Sequence, residues 1–191
     1  SEDVSLGVMP LFHIHGIVAS MLATFHSGGT VVLPQKFNPL AFWRVAAEHG
    51  VTWYTAVPTI HKLLLSRTEA SGKKPAGAGR LRFIRSCSAP LAPDVLERLE
   101  SAFEVPVLEA YGMTEAAHQM SSNPLPPGAR KAGSVGEGTG VEIRIVDETG
   151  QDVQPGDAMD ALVSGAAPAP EAPLPDGEPI HALVSAASVP M

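Results

Sequence analysis

The chain has 191 residues and a formal net charge of -7; hydrophobic residues make up 45% of it and charged residues 17%. That is apolar material for a buried core on the scale of one domain, and it excludes global disorder. The acidic balance argues against sequence-independent nucleic-acid binding, which needs clustered Lys and Arg. No uninterrupted apolar run approaches the roughly 20 residues that span a bilayer, so no membrane span is expected.

All 13 basic residues fall within 1–144, beside 12 acidic ones, whereas residues 145–191 hold 8 acidic and no basic residues. The charge therefore has a seam. The start Ser1-Glu2-Asp3 offers no basic n-region, so no secretory signal is expected. A single cysteine, Cys87, excludes an internal disulfide and a multi-cysteine zinc site. A reducing, cytoplasmic setting is the default expectation. The terminal Ser188-Val189-Pro190-Met191 is no peroxisomal address, although a peroxisomal setting stays open if that end is not native.

Taken in order, residues 4–11 read as a buried strand ending at Pro10. Residues 14–25 are apolar nearly all round (Ile17, Val18, Met21, Leu22, Phe25) and read as a buried helix. Residues 30–33 form a strand entered through Gly28-Gly29. Asn38-Pro39 predicts a helix start with Asn as cap, and Gly50 its close. Residues 51–57 are β-branched and aromatic, a strand, and residues 58–66 a short helix. Residues 71–79 read as a loop and residues 81–85 as a strand. Residues 93–104 carry Val95, Leu96, Leu99 and Phe103 at helical spacing. A strand over 105–108, a proline-rich loop over 121–133 and a strand over 141–147 complete the pattern. Strands separated by helices predict an α/β fold with a largely parallel sheet flanked by helices.

From Ala158 the character changes. Residues 158–191 hold nine Ala and six Pro, and no Phe, Tyr, Trp, Lys or Arg. This segment is expected to be disordered or poorly packed. The domain organisation read here is thus 1–157 as a folded core and 158–191 as an Ala/Pro-rich tail.

In parallel sheets, ligands collect beyond the carboxyl ends of the strands. Three polar clusters fall at such ends: Phe12-His13-Ile14-His15-Gly16, Arg85-Ser86-Cys87-Ser88-Ala89-Pro90-Leu91, and Glu109-Ala110-Tyr111-Gly112-Met113-Thr114-Glu115 with His118 beyond. Singly, each has a plain structural explanation. His13-x-His15 has metal-ligand spacing but no third ligand nearby. Glu115 and His118 have di-iron i, i+3 spacing without the second copy that motif needs. Ser86-Cys87-Ser88 lacks the Gly-x-Ser-x-Gly elbow, and Cys87 has no base beside it in sequence.

Taken together, the order Met9-Pro10-Leu11-Phe12-His13, Arg85–Leu91, Tyr111-Gly112-Met113-Thr114-Glu115 and Gly133-Ser134-Val135-Gly136 resembles the central core of the adenylate-forming enzymes. Within that family, residues 53–61, 81–88 and 113–126 look most like the oxalyl-CoA synthetase branch. The resemblance implies a partial core of an adenylate-forming N-terminal domain. It implies an acid–thiol ligase that couples a carboxylate to coenzyme A through an acyl-adenylate made from ATP, with Mg²⁺. It places Thr114 at the α-phosphate, Glu115 on Mg²⁺, Tyr111 along the adenine, and Glu109, Ala110 and Gly112 in the same nucleotide site. His13 matches the histidine beside the acyl carboxylate, and with Thr114 and Glu115 it makes up the implied catalytic set. His15, Ser88 and His118 match acyl-pocket positions.

Those three are polar, whereas aryl and fatty acids need an apolar slot. A short dicarboxylate such as oxalate must have its second carboxylate desolvated against donors. Imidazoles and a hydroxyl supply them, and a protonated histidine would also offset charge. A small dicarboxylate is therefore expected, with an aryl or fatty acid as the alternative substrate. The family's Thr/Ser/Gly-rich phosphate loop, its ribose-binding aspartate and its C-terminal domain with the catalytic lysine have no counterpart in these residues. The chain reads as the middle of a ligase, expected to be weak or inactive alone. Its end reads as non-native, as out-of-frame translation of GC-rich DNA would give; a divergent, short protein is the alternative. A non-catalytic pseudoenzyme or decayed gene product that binds nucleotide or only packs is the competing function.

Overall fold

The computed structural model describes residues 2–146, 151–152 and the backbone of 181–185. The chain divides into two compact units, residues 1–137 and 138–191.

The first unit is built on five parallel strands and one antiparallel strand. These are β1 (Val4–Gly7), β2 (Thr30–Val32), β3 (Trp53–Ala56), β4 (Phe83–Ser86), β5 (Val107–Met113) and β6 (His118–Ser122). Their order is β2-β1-β3-β4-β5-β6, parallel up to β5, with β6 antiparallel to β5. The largely parallel sheet expected from the sequence is therefore present. The order 2-1-3-4-5 is a doubly wound one, and its direction reverses between β1 and β3. Helix α1 follows β1; it is π-helical over His15–Leu22 and α-helical over Ala23–His26. Helices α2 (Phe42–Glu48), α3 (Pro58–Ser71) and α4 (Pro93–Phe103) make the later crossovers.

The core packs α2, α3 and α4 against one face of the sheet. It contains Leu6, Phe42, Tyr54, Leu64, Ile84, Leu99 and Phe103, with Tyr54, Leu64, Ile84, Leu99 and Phe103 all at 0% exposure. Strand alternation sends Tyr54 and Ile84 into this core and sends Trp53, Thr55, Phe83 and Arg85 to the other face. There Trp53 and Phe83 stack with ring centroids 5.2 Å apart. Both α3 and α4 begin with Pro at the first turn, where a missing N–H costs nothing. Gly72, in the left-handed region, closes α3.

Five expectations shift. The strand over 4–11 stops at Gly7, before a turn in which His13 N donates to the Pro10 carbonyl. The helix expected to start at Asn38 begins at Phe42, because the Asn38 side chain takes the Leu40 N–H into a turn instead. The helix expected to be buried all round hides His15, Gly16, Ala19 and Ser20 while Ile17, Leu22 and Phe25 stay exposed. The strand expected over 105–108 runs through Met113, so the tyrosine-to-methionine stretch lies on β5 rather than after it. β6 occupies part of the expected loop.

A two-residue strand, β7 (Glu137–Gly138), lies at the boundary between the units. The second unit contains β8 (Glu142–Val146) and β9 (His181–Ser185), paired in parallel. Arg144 and Asp152 form an exposed ion pair at 2.9 Å. Of the Ala/Pro-rich tail only 181–185 is described; the rest of 158–191 lies outside the described residues. Among the described residues no helix is long and apolar enough to cross a membrane.

Candidate functional site

The site forms where the sheet changes direction. His15 opens the helix after β1, and Thr55 lies on the last turn of β3. The two meet, His15 Nε2 to Thr55 Oγ1 at 2.7 Å. The other ring nitrogen, His15 Nδ1, lies 2.9 Å from Ser88 Oγ, on the loop after β4. The imidazole is thus held at both nitrogens by hydroxyls from two different strand ends.

His118 comes to the same place from β6. Its ring centroid is 5.4 Å from that of His15, the planes tilted by 44°. It gets there because the chain reverses sharply after β5. Thr114–Ala116 make a single turn, and Ala117 and His118 both adopt positive φ, 53° and 94°. Gly112 permits the close return: a Cβ there would overlap the His118 carbonyl. His118 Nδ1 is buried without a partner.

Arg85 completes the cluster. It sits on β4 opposite Thr55 of β3 and Leu108 of β5. Its side chain is buried, at 6% exposure, and Nη2 donates to Gln119 Oε1 at 2.7 Å. Nη1 has no partner.

The electrostatics follow from burial. Desolvation first, then the Arg85 charge, then His118 and His13, push His15 down to about 3. Desolvation, Arg85 and His13 likewise push His118 down to about 4. Both rings are therefore neutral at neutral pH. In the free chain the buried positive charge of the cluster therefore sits on Arg85.

The other expected residues are found as follows. His13 is exposed, and its Nδ1 accepts from the His15 backbone N–H at 3.2 Å. Thr114 and Glu115 are exposed in the turn after β5. Tyr111 and Gly112 are half-buried on β5 and Ala110 is buried. Glu109 is buried, and burial raises its pKa. Its carboxylate accepts from Gly133 N at 2.9 Å, and its carbonyl accepts from Asn123 N at 3.0 Å. Asn123 Oδ1 accepts from Lys131 N, and its amide donates to the Ser134 carbonyl. Glu109 and Asn123 thereby tie the Gly133–Gly136 stretch to β5.

Among the described residues no three His, Cys, Asp or Glu side chains gather as a metal centre, so the His13-x-His15 and Glu115/His118 spacings build none. A lone exposed carboxylate such as Glu115 fits Mg²⁺, which keeps several waters and takes its remaining ligands from substrate phosphates. Cys87 is buried at 1% exposure and unpaired, a packed residue.

Three contributors are missing from the sequence reading. Thr55 was a strand residue, Arg85 part of a motif, and Asn123 part of a loop. A charged residue in the middle of the apolar strand Phe83-Ile84-Arg85-Ser86 was the available signal for Arg85, since charges are rarely buried without a reason.

The AMP-binding enzyme family matches residues 1–169. The oxalate–CoA ligase of Saccharomyces cerevisiae is 45% identical over 163 residues, 85% of this chain and 29% of the relative. The oxalate–CoA ligase of Arabidopsis thaliana is 47% identical over 167 residues, 86% of this chain and 32% of the relative. The crystal structure of ATP-bound MatB from Rhodopseudomonas palustris superposes with a TM-score of 0.69 at 36% identity, covering 82% of this chain and 30% of that one. The chain thus spans about a third or less of these relatives. By the family match over most of its length, this chain belongs to the AMP-binding enzymes.

Proposed function

We propose that the chain carries the acid-binding and part of the nucleotide-binding machinery of an ATP-dependent acid–CoA ligase, and that the acid is oxalate or another small dicarboxylate. The observation that carries this reading is the polar cluster of buried His15, Thr55, His118 and Arg85, with the exposed Ser88 at its rim. An apolar acyl chain has no place among these groups, because burying them against hydrocarbon leaves donors and acceptors unpaired. A short acid with oxygens at both ends replaces their lost water. The names of the oxalate–CoA ligase relatives agree with this substrate class.

In the proposed ligase, His13, exposed at the turn before α1, stands where an acid would enter. In this reading Thr114 and Glu115, exposed after β5, take the α-phosphate and Mg²⁺, and Glu109, Ala110, Tyr111 and Gly112 on β5 take the nucleotide. The ion would neutralise charge on the phosphates; the chain's part is to orient them. Coenzyme A is the proposed thiol acceptor. Turnover is proposed for the ligase, and the 191 residues alone are expected to bind the acid without measurable ATP–pyrophosphate exchange.

Calorimetric titration of the folded chain tests the substrate class. Oxalate is expected to bind, and decanoate and benzoate are not. Binding of decanoate or benzoate with oxalate silent would overturn the dicarboxylate reading. Clear ATP–pyrophosphate exchange would overturn the expected inactivity.

A further inference from the structure

Resting on the reading above, we infer that Arg85 is the specificity residue of the acid pocket: its guanidinium pairs with the second negative group of the substrate and so selects short dianionic acids over monocarboxylates.

Three observations carry it. Arg85 is buried to 6% exposure in the middle of a parallel strand. Among the described residues no carboxylate lies within ion-pair distance of it; its one side-chain hydrogen bond goes to the neutral amide oxygen of Gln119. Its Nη1 is buried without any partner. A guanidinium has five N–H donors and a desolvation cost of several kcal/mol. An uncompensated one is strongly unfavourable unless a ligand completes it.

Its placement says which ligand. Arg85 is in register with Thr55, whose hydroxyl holds His15, so strand alternation puts Arg85 on the face where His15 sits. Gln119, which it touches, adjoins His118 in sequence. The cation therefore lies beside the histidine pair. An acid held at one carboxylate by Ser88 and by His118, whose Nδ1 lacks a partner among the described residues, meets Arg85 with its other end. The planar fork of an arginine matches a carboxylate or sulfonate with two parallel hydrogen bonds. A monocarboxylate presents a methyl or methylene there and leaves the buried charge unpaired.

A purely structural role, tying β4 to β6 through Gln119, is the rival explanation, and ligand selectivity separates the two. The folded chain is titrated with oxalate, malonate and acetate while the imidazole NMR signals of His15 and His118 are followed. The native chain is expected to bind the two dianions at least about tenfold more tightly than acetate. In Arg85→Gln, acetate binding is expected to hold and the dianion preference to vanish; Arg85→Lys, which keeps the charge and loses the fork, should fall between. A preference that survives Arg85→Gln overturns this inference and leaves the dicarboxylate reading standing. Failure of the native chain to bind any of the three acids overturns both. Where Arg85→Gln does not fold, the native protein gives the answer: oxalate, and not acetate, must shift the Arg85 guanidinium nitrogen resonances, and an unshifted guanidinium under saturating oxalate refutes the pairing.

Discussion

His15 and Ser88 lie 73 positions apart in the chain, yet His15 Nδ1 sits 2.9 Å from Ser88 Oγ. The contact joins the loop after β4 to the start of α1, on opposite sides of β3. With Thr55 on the remaining nitrogen at 2.7 Å, the ring is fixed in place. A neutral imidazole has one N–H and one lone pair, so one hydroxyl accepts from the ring and the other donates to it. Two strand ends and a helix start are thereby locked together.

Removing one of those hydroxyls tests the lock. Thr55→Val keeps the shape and leaves His15 Nε2 buried without a partner. The expected loss is about 1–3 kcal/mol of stability, read from the urea midpoint. An unchanged midpoint with an unchanged His15 imidazole signal would show that the contact fixes nothing.

The acid pocket and the nucleotide positions should be separable. Ser88→Ala or His118→Ala is expected to weaken oxalate binding about tenfold, the worth of one charge-assisted hydrogen bond. Binding of MgATP should change little, because Thr114 and Glu115 lie in a different turn. Equal losses for both ligands would contradict the assignment of His118 and Ser88 to the acid.

Stability should fall in acid through three buried histidines. Burial, with the neighbouring charges, holds His15 at about 3 and His118 at about 4, and burial alone, against two backbone hydrogen bonds, holds His61 at about 4. His61 is wedged between the Tyr54 hydroxyl at 3.3 Å and the Ala56 carbonyl at 3.0 Å. The folded values lie below the unfolded value of 6.5, so the unfolded chain binds more protons between them. Their contribution is full above pH 6.5 and is lost as pH falls toward 4 and then 3. Each adds a slope of up to about 1.4 kcal/mol per pH unit. Urea midpoints measured from about pH 7.5 to about pH 4.5, which covers the upper part of this window, should drop steeply, and His61→Gln should flatten the drop. A midpoint independent of pH would refute it.

The reversal at Gly112 is the most exacting point in the sheet. A methyl group there meets the His118 backbone carbonyl rather than a movable side chain. Gly112→Ala is expected to cost more than about 3 kcal/mol, beyond ordinary single substitutions. It should also move the His118 imidazole signal in whatever fraction still folds. A mild loss with His118 unmoved would show that β6 has room to shift.

Much of this architecture is legible in the sequence because its signals are local. Val95, Leu96, Leu99 and Phe103 recur at helical spacing after Pro93, and α4 forms there with those residues buried. The polar clusters read at strand ends meet, because a parallel sheet brings its carboxyl ends to one edge. Other features depend on partners distant in sequence. The apolar residues of α1 suggested burial all round, but composition cannot say which side faces the sheet. The length of β5 is set by pairing with β6, from Ala110 opposite Ser122 to Met113 opposite His118, across a turn with no glycine at its tip. Arg85 is visible as a residue and silent as a role until its neighbours prove to lack a carboxylate.

Ser88 carries a last consequence. Its backbone sits at φ 72°, a conformation that burdens any residue with a side chain by about 1–2 kcal/mol and glycine hardly at all. Ser88→Gly would relax the backbone and at the same time cut the tether to His15, two opposing effects of similar size. A serine at that position trades robustness for a hydroxyl, so a search for hardier versions of this protein would drift toward glycine there and give up the tether to His15.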